Sequence, residues 1–418
     1  MSETPLPPDF RSPEVLRQQA LHALAFYDGR ALDPSGGLFQ FFKDDGTVYD
    51  AHTRHLVSST RYVLTFAEMA RHCPDHPRAG AWRDTAAHAL DFVRRVHLDP
   101  DHGGYTWLLR WQDGRAERLD TTQQAYGLAF VLLAHARAAR LDLPGARQGI
   151  AETFELMERR FWEPAAGLYA DEATRDWQVG PYRGQNANMH ACEALLAAFE
   201  ATGEARYLQR AAVLAESVTG RLAAASQGLV WEHFKPDWTP DWDYNRHDRS
   251  NIFRPWGFQT GHQTEWAKLL LVLDRLEGRG PGADTPRLAR ARALFDAAMR
   301  HGWDAAHGGL VYGFAPAGCP ADDPVQQVCD GDKYHWVQAE SLAAAALLWR
   351  HSGDAAFLEA YQRLWAYVWA HFVDHRHGAW FRILAPDNRA ITSDKSPAGK
   401  VDYHNIGACL DAATALGT

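Results

Sequence analysis

Residues 333–348 read KYHWVQAESLAAAALL. From Leu342 onward the run is apolar on every side of an α-helix, so the helix it predicts is buried all round. Its first turns are of another kind: His335, Trp336, Gln338 and Glu340 bring polar and aromatic groups to a segment about to enter a core. The same design returns in ACEALLAAF (191–199) and AKLLLVL (267–273). A second sort of helix alternates with these. In TPRLARARALFDAAMRHGW (285–303), Leu288, Ala291, Leu294 and Phe295 share one face, and Arg287, Arg290 and Arg292 mostly fall elsewhere. That is the pattern of a surface helix.

Between the two sorts of helix one phrase recurs: an acidic or polar turn, glycine, a strand-like run, and another turn. It reads DPSGGLFQFFKDDG (33–46), DPDHGGYTWLLRWQDG (99–114), EPAAGLYADEATRDW (163–177), AASQGLVWEHFKPDW (224–238), DAAHGGLVYGFAPAG (304–318) and DHRHGAWFRILAPDN (374–388). A spacing of roughly 60–80 residues is too short for a separate domain and long enough for a helical hairpin. Each phrase predicts a short β-hairpin or extended loop. Six hairpins of one exposed and one buried helix make twelve helices. Their simplest closed arrangement is an all-α (α/α)6 barrel with short β-hairpin loops at one end; an open α-solenoid is the competing arrangement. GRGPGADTP (278–286) reads as a surface loop, and 1–418 is expected to form a single barrel domain.

In a ring of parallel inner helices, the polar first turns meet at one mouth. They contribute Arg54 and His55, then Asn186 and His190, His262 and Glu265, His335 with Trp336, Gln338 and Glu340, and His404 with Asn405. Capping explains Ser, Thr, Asp or Asn at such positions. It does not explain Arg54 at the positive end of a helix, nor the histidines. A binding site for a small polar molecule is expected there. His262 and Glu265 stand i,i+3, so a carboxylate beside that imidazole would fix its tautomer. Asn186 and His190 stand i,i+4, as do Trp336 and Glu340.

Several classes are excluded. A net charge of -9 and a pI ≈ 6.1, with no basic cluster carrying interleaved aromatics, argue against nucleic acid. No uncharged apolar stretch approaches the ~20 residues of a membrane span. MSETPLPPDF lacks a basic segment leading into an apolar run, and the five scattered cysteines form no C-x-x-C pair. A cytoplasmic protein is expected. His-x-x-Glu at 262–265 is not H-E-x-x-H and has no matching partner, so no metal is expected. Phosphate loops and nucleophile elbows are absent.

HTRHLVSSTRYVLTFA (52–67), RGQNANMHACEALLAAFEATGEARYLQRA (183–211), GHQTEWAKLLL (261–271), KYHWVQAESLAAA (333–345) and KVDYHNIGACLDA (400–412) resemble the N-acylglucosamine 2-epimerase superfamily. The resemblance runs in order from about residue 20 to the C-terminus. HTRHLV and HWVQAE look most like its mannose isomerase branch; His335 stands where cellobiose epimerases tend to carry a first of two tryptophans. The resemblance implies an (α/α)6 barrel acting on sugars without cofactors. It implies His262 and His404 as acid/base residues, with Glu265 on the His262 helix. It implies Arg54, Asn186, His190, Arg254, His335, Trp336, Gln338 and Glu340 as substrate contacts, with Tyr105 near the same mouth. The expected substrate is a monosaccharide, mannose or fructose, and the expected state a monomer or homodimer. The expected reaction moves a proton alpha to a carbonyl through a cis-enediolate, giving a ketose, or the 2-epimer if the proton returns to the other face. Rival readings are a glycoside hydrolase using Glu265 and Glu340 as its carboxylate pair, ~5–9.5 Å apart, and a non-catalytic carbohydrate- or protein-binding module.

Overall fold

The computed structural model describes residues 5–248, 251, 253–315 and 327–417. Among them run twelve α-helices: α1 (Pro13–Ala25), α2 (Leu56–His72), α3 (Ala79–Phe92), α4 (Ala125–Ala139), α5 (Ala146–Arg160), α6 (Gln185–Thr202), α7 (Ala205–Glu216), α8 (Thr260–Leu276), α9 (Pro286–Gly302), α10 (His335–Ser352), α11 (Ala355–His371) and α12 (Tyr403–Leu416). None is long and apolar enough to cross a membrane. The chain divides into two compact units. One comprises Met1–Ala23, Ala215–Ser393 and His404–Thr418; the other comprises Leu24–Leu214 and Asp394–Tyr403.

In the first unit α8 packs on α9 and α10, and α10 on α11. The helices alternate as their sequences predict. α8 is buried without a break from Thr260 to Leu271, and α10 along almost its whole length. α9 buries Leu288, Ala291, Leu294 and Phe295 with three small residues and leaves Arg287, Arg290 and Arg292 half-buried. Local signals set its ends: Thr285 accepts from Leu288 N, and Pro286 follows at the first helical position, where a missing N–H costs nothing. α11 starts on Asp354, which accepts from Ala356 N. α10 stops at Gly353, whose φ of 68° a residue with a side chain rarely adopts. A buried hydrogen bond of 3.0 Å between Thr264 Oγ1 and Ser341 Oγ fixes α8 against α10.

In the second unit α4 packs on α2, α5 and α6, and α2 on α3. α2, α4 and α6 are the helices buried on nearly all sides.

Five of the six glycine phrases form tight turns closed by a short antiparallel pair or a single bridge. Trp303 bridges Leu310 and Val373 bridges Trp380 in the first unit; Leu32 bridges Leu38 in the second. Leu98–Asp99 pairs with Gly104–Tyr105, and Trp162–Glu163 with Leu168–Tyr169. The leading aspartate recurs because it holds the turn. Asp33, Asp99, Asp304 and Asp374 each accept from the backbone N–H two residues on. The fourth phrase lacks that aspartate, and a 3₁₀ turn over Ala223–Ser226 takes its place.

A second repeated device was not visible in the sequence. Asn188 of α6 accepts from Tyr169 N and donates to Tyr169 O. Gln263 of α8 does the same with Val230, at 2.9 and 2.8 Å. Gln338 of α10 does the same with Leu310, at 3.0 and 2.7 Å. Each amide stands in for a neighbouring strand and satisfies both polar groups of one buried residue, groups that are expensive to leave unpaired.

Candidate active site

The polar first turns of the buried helices are not capping devices. α8 and α10 begin after Gln259 and Tyr334 with no side-chain cap bond. The exception is His55, whose Nδ1 accepts from Val57 N at the start of α2. Burial pushes its pKa down to about 3, so it stays neutral as a structural cap.

Six of the expected residues come together in the first unit, four of them ring-bearing. The His262 ring lies 5.0 Å from the Trp336 ring, and the His404 ring 5.8 Å from it, centroid to centroid. The two imidazoles therefore share one indole, although 142 positions of chain separate them. Gly261 makes this possible. A Cβ at 261 would meet Trp336 Cζ3 at 2.2 Å, so the indole lies directly on the backbone of α8. Tyr312 stacks on Tyr334 at 3.9 Å and turns its ring edge-on to Trp336, extending the aromatic surface. His335 completes the group: its ring is 6.3 Å from that of His404, and its Nδ1 lies 2.8 Å from Asn405 Oδ1.

Each imidazole has a carboxylate on the same nitrogen. His404 Nδ1 lies 2.7 Å from Glu340 Oε1. His262 Nδ1 lies 2.9 Å from Glu232 Oε2. A carboxylate only accepts, so Nδ1 carries the proton in the neutral form of both rings and Nε2 is their acceptor nitrogen. Both rings are buried, at 8% and 6% exposed, and the two carboxylates at 4% and 2%.

The carboxylate on His262 is thus Glu232, where the i,i+3 spacing had pointed to Glu265. The Gln263–Val230 clasp fixes Val230 at the start of α8, and Glu232 follows two residues after the clasped valine. An acidic residue inside the apolar run LVWEHF was the available signal. Glu265, wholly buried, instead belongs to the other pair: its carboxylate, that of Glu340 and a ring nitrogen of His404 lie within 4.8 Å of one another. The ammonium of Lys268 lies 2.5 Å from Glu340 Oε2, so this group already holds a cation and we assign no metal to it.

Other expected residues stand elsewhere. Gln338 is fully buried and holds Leu310. Arg254 lies in a loop of the first unit, with Nη1 3.3 Å from Tyr244 Oη and its carbonyl accepting from Asn245. In the second unit Arg54 is fully buried and ion-paired with Asp33 at 2.5 Å, with Ala51 O and Thr53 O as further acceptors. It ties the first glycine phrase to the start of α2. Arg61, two turns further on, lies over the rings of Phe130 and Tyr403 and donates to Gly399 O. His190 packs on Phe130 and Tyr126, with Nδ1 3.0 Å from Glu193 Oε2. Asn186 Oδ1 is buried without a hydrogen-bond partner among the described residues. Tyr105 is held by burial at a pKa of about 12 and stays un-ionised.

Two carboxylate-backed imidazoles on one tryptophan form an arrangement that can take up and release protons. The chain matches the N-acylglucosamine 2-epimerase (GlcNAc 2-epimerase) family over residues 37–408, and it belongs to that family. It is 48% identical over 406 residues to the D-mannose isomerase of Marinomonas mediterranea, covering 97% of this chain and 98% of that one. A crystal structure of D-mannose isomerase superposes with a TM-score of 0.90 at 47% identity, over 97% and 99% of the two chains. The cellobiose 2-epimerase of Bacillus thermoamylovorans, 18% identical, shares the fold with a TM-score of 0.80 over 96% and 98%. The fold class is the (α/α)6 barrel expected from the repeats.

Proposed function

We propose that this chain is an aldose–ketose isomerase that interconverts D-mannose and D-fructose, with 1–418 working as one catalytic domain. The observation that carries the reading is the pair of Nδ1-anchored imidazoles on Trp336, in a chain nearly half identical to a D-mannose isomerase.

Trp336 offers an apolar face to the C–H side of a sugar, and His335 a ring nitrogen to a hydroxyl. His262, backed by Glu232, assists ring opening by moving a proton between O1 and the ring oxygen. His404 Nε2 then removes the C2 proton of the open aldose. The C2–H electron pair becomes the C1=C2 bond of a cis-enediol as O1 takes a proton from the His262 imidazolium. His404 returns its proton to C1 while O2 gives up its own to His262, which leaves the ketose. Glu340 favours the His404 imidazolium that forms on the way. An imidazole suits both halves, since its ordinary pKa near ~6.5 lets it accept and donate at neutral pH, and positioned acid/base groups contribute about 10²–10⁴-fold.

The neighbouring reading is a 2-epimerase. It draws on the likeness to cellobiose 2-epimerases and on the presence of a second imidazole at the same indole. Incubation with mannose in heavy water separates the two. Fructose supports the isomerase, with deuterium at C1 to the extent that His404 exchanges its proton with solvent between the two transfers; glucose carrying deuterium at C2 supports the epimerase. Neither product from mannose, glucose or N-acetylglucosamine overturns both. We place the protein in the cytoplasm, which fractionation of cells that make it tests, and as a monomer or homodimer, which sedimentation of the purified chain tests.

A further inference from the structure

α8 and α10 carry more buried charge than two acid/base imidazoles require. Glu265 and Glu340 are 0% and 2% exposed, and their carboxylates lie with His404 in one 4.8 Å group. Like charges so close, away from water, tend to retain a proton between them. Such a proton would compete with the one that His404 has to take up and release.

Lys268 stands one helical turn after Glu265, at 7% exposed, inside the otherwise apolar AKLLLVL. Its Nζ is 2.5 Å from Glu340 Oε2, and the other oxygen of the same carboxylate is 2.7 Å from His404 Nδ1. Glu340 therefore bridges an ammonium and an imidazole. A lysine gives up its hydration to stand there, and a methionine or leucine would fill the helix position at less cost. The groups around His404 are Glu340 on its Nδ1, Glu265 of α8 in the same 4.8 Å group and His335 with its ring 6.3 Å away, and Lys268 stands behind them on the second oxygen of Glu340. In that set of described residues, Lys268 is the one side chain that brings a fixed positive charge.

We propose that Lys268 is a positioning residue for the proton transfer: its ammonium keeps Glu340 and Glu265 ionised side by side, and through Glu340 it holds down the proton affinity of His404. The proposal rests on the isomerase reading for the task of His404. Removing a positive charge raises the proton affinity of the whole group, whichever member takes the proton, because the titrations are coupled.

The test uses Lys268→Gln, which keeps a hydrogen-bonding side chain beside Glu340 without the charge, together with Lys268→Met and Lys268→Arg, all in the full chain. The midpoint of His404 is followed by NMR of its ring carbon, assigned by the loss of that signal in His404→Gln. Activity on mannose is followed against pH. In Lys268→Gln and Lys268→Met the His404 midpoint is expected to rise by about one pH unit, a tenfold tighter proton. The acid limb of kcat/KM should rise with it, and Lys268→Arg should return both to wild-type. If Lys268→Met does not fold, Lys268→Gln decides. A folded Lys268→Gln whose His404 midpoint stays within about 0.2 of wild-type overturns the proposal and leaves Lys268 a packing residue. If the wild-type protein converts no sugar, the isomerase reading fails while the NMR midpoints still decide the role of Lys268.

Discussion

Glu232→Gln removes one charge from the His262 pair and leaves its shape. Glu232 Oε2 is 2.9 Å from His262 Nδ1, with both side chains buried, so solvent screens the contact little. A hydrogen bond to a charged group contributes about 1.5–3 kcal/mol and one between neutral groups about 0.5–1.5. The exchange therefore removes about 1–2 kcal/mol of preference for the imidazolium, and kcat/KM should fall roughly 5- to 30-fold. The loss is larger where the new amide turns its NH₂ toward Nδ1, since the ring then takes the Nε2–H tautomer and can no longer accept at the nitrogen facing the sugar. The assay is initial-rate fructose formation from mannose, paired with ¹⁵N spectra of His262. The neutral ring should carry its proton on Nδ1 in the wild-type and shift partly to Nε2 in the variant. Circular dichroism checks that the fold is kept. A folded Glu232→Gln with kcat/KM within about twofold of wild-type would refute the assignment of Glu232 as the partner that orients the ring.

Three further outcomes follow from single positions. Gly261→Ala should lower kcat/KM about 100-fold, the scale of a 1 Å misplacement, because its Cβ would displace the Trp336 ring that both imidazoles touch; activity within a few-fold of wild-type would show that the ring's seat on α8 is not needed. Gln338→Leu should destabilise by about 2–4 kcal/mol, since Leu310 N–H and C=O would lose their partner, with KM for mannose unchanged. A raised KM at unchanged melting temperature would instead make Gln338 a sugar contact. Burial raises the pKa of Asp330 from 3.8 to about 6, and its Oδ2 has no hydrogen-bond partner among the described residues. Its ionisation therefore opposes folding above pH 6, by up to about 3 kcal/mol, and not below 3.8. Asp330→Asn should melt a few degrees higher than wild-type at pH 7.5, with the gain shrinking toward pH 4; an equal gain at both pH values would contradict this.

The parts of the molecule set by periodicity were legible in the sequence. Leu288, Ala291, Leu294 and Phe295 on the buried face of α9, and the all-round burial of α8 and α10, follow from residue spacing alone. So did His262, His404, Trp336 and Glu340, because each sits at the start of a helix that the apolar pattern marks as buried. What periodicity does not carry is the partner across a gap. Glu232 meets His262 from 30 positions away, and Asp33 meets Arg54 from 21. Spacing on one helix offered Glu265 as a nearer candidate for His262, and it offered no partner for Arg54. Gln338 reads as a site residue because it lies two positions from Trp336; its neighbour in space, Leu310, lies in a turn segment that no local pattern ties to it. Lys268 was hidden by the apolar run around it.

The amide clasps explain why the site stands where it does. An inner helix must receive the extended segment that comes before it, and that segment brings unpaired backbone groups into the core. One amide in the first turns meets both, and successive residues of a helix point about 100° apart, so the positions beside the clasp face other directions. Gln263 holds Val230 and leaves its neighbour His262 to meet Glu232. Gln338 holds Leu310 and leaves Trp336, two residues earlier, to lie on Gly261. Asn188 holds Tyr169 and leaves His190, two residues later, against Phe130 and Tyr126. The clasp is thus a fold element with a chemical consequence: it fixes the register between strand and helix, and at α8 that register is what delivers a carboxylate to an imidazole. Other polar side chains can occupy the neighbouring positions without disturbing the clasp, which gives a physical reason for one scaffold to serve isomerases and epimerases alike.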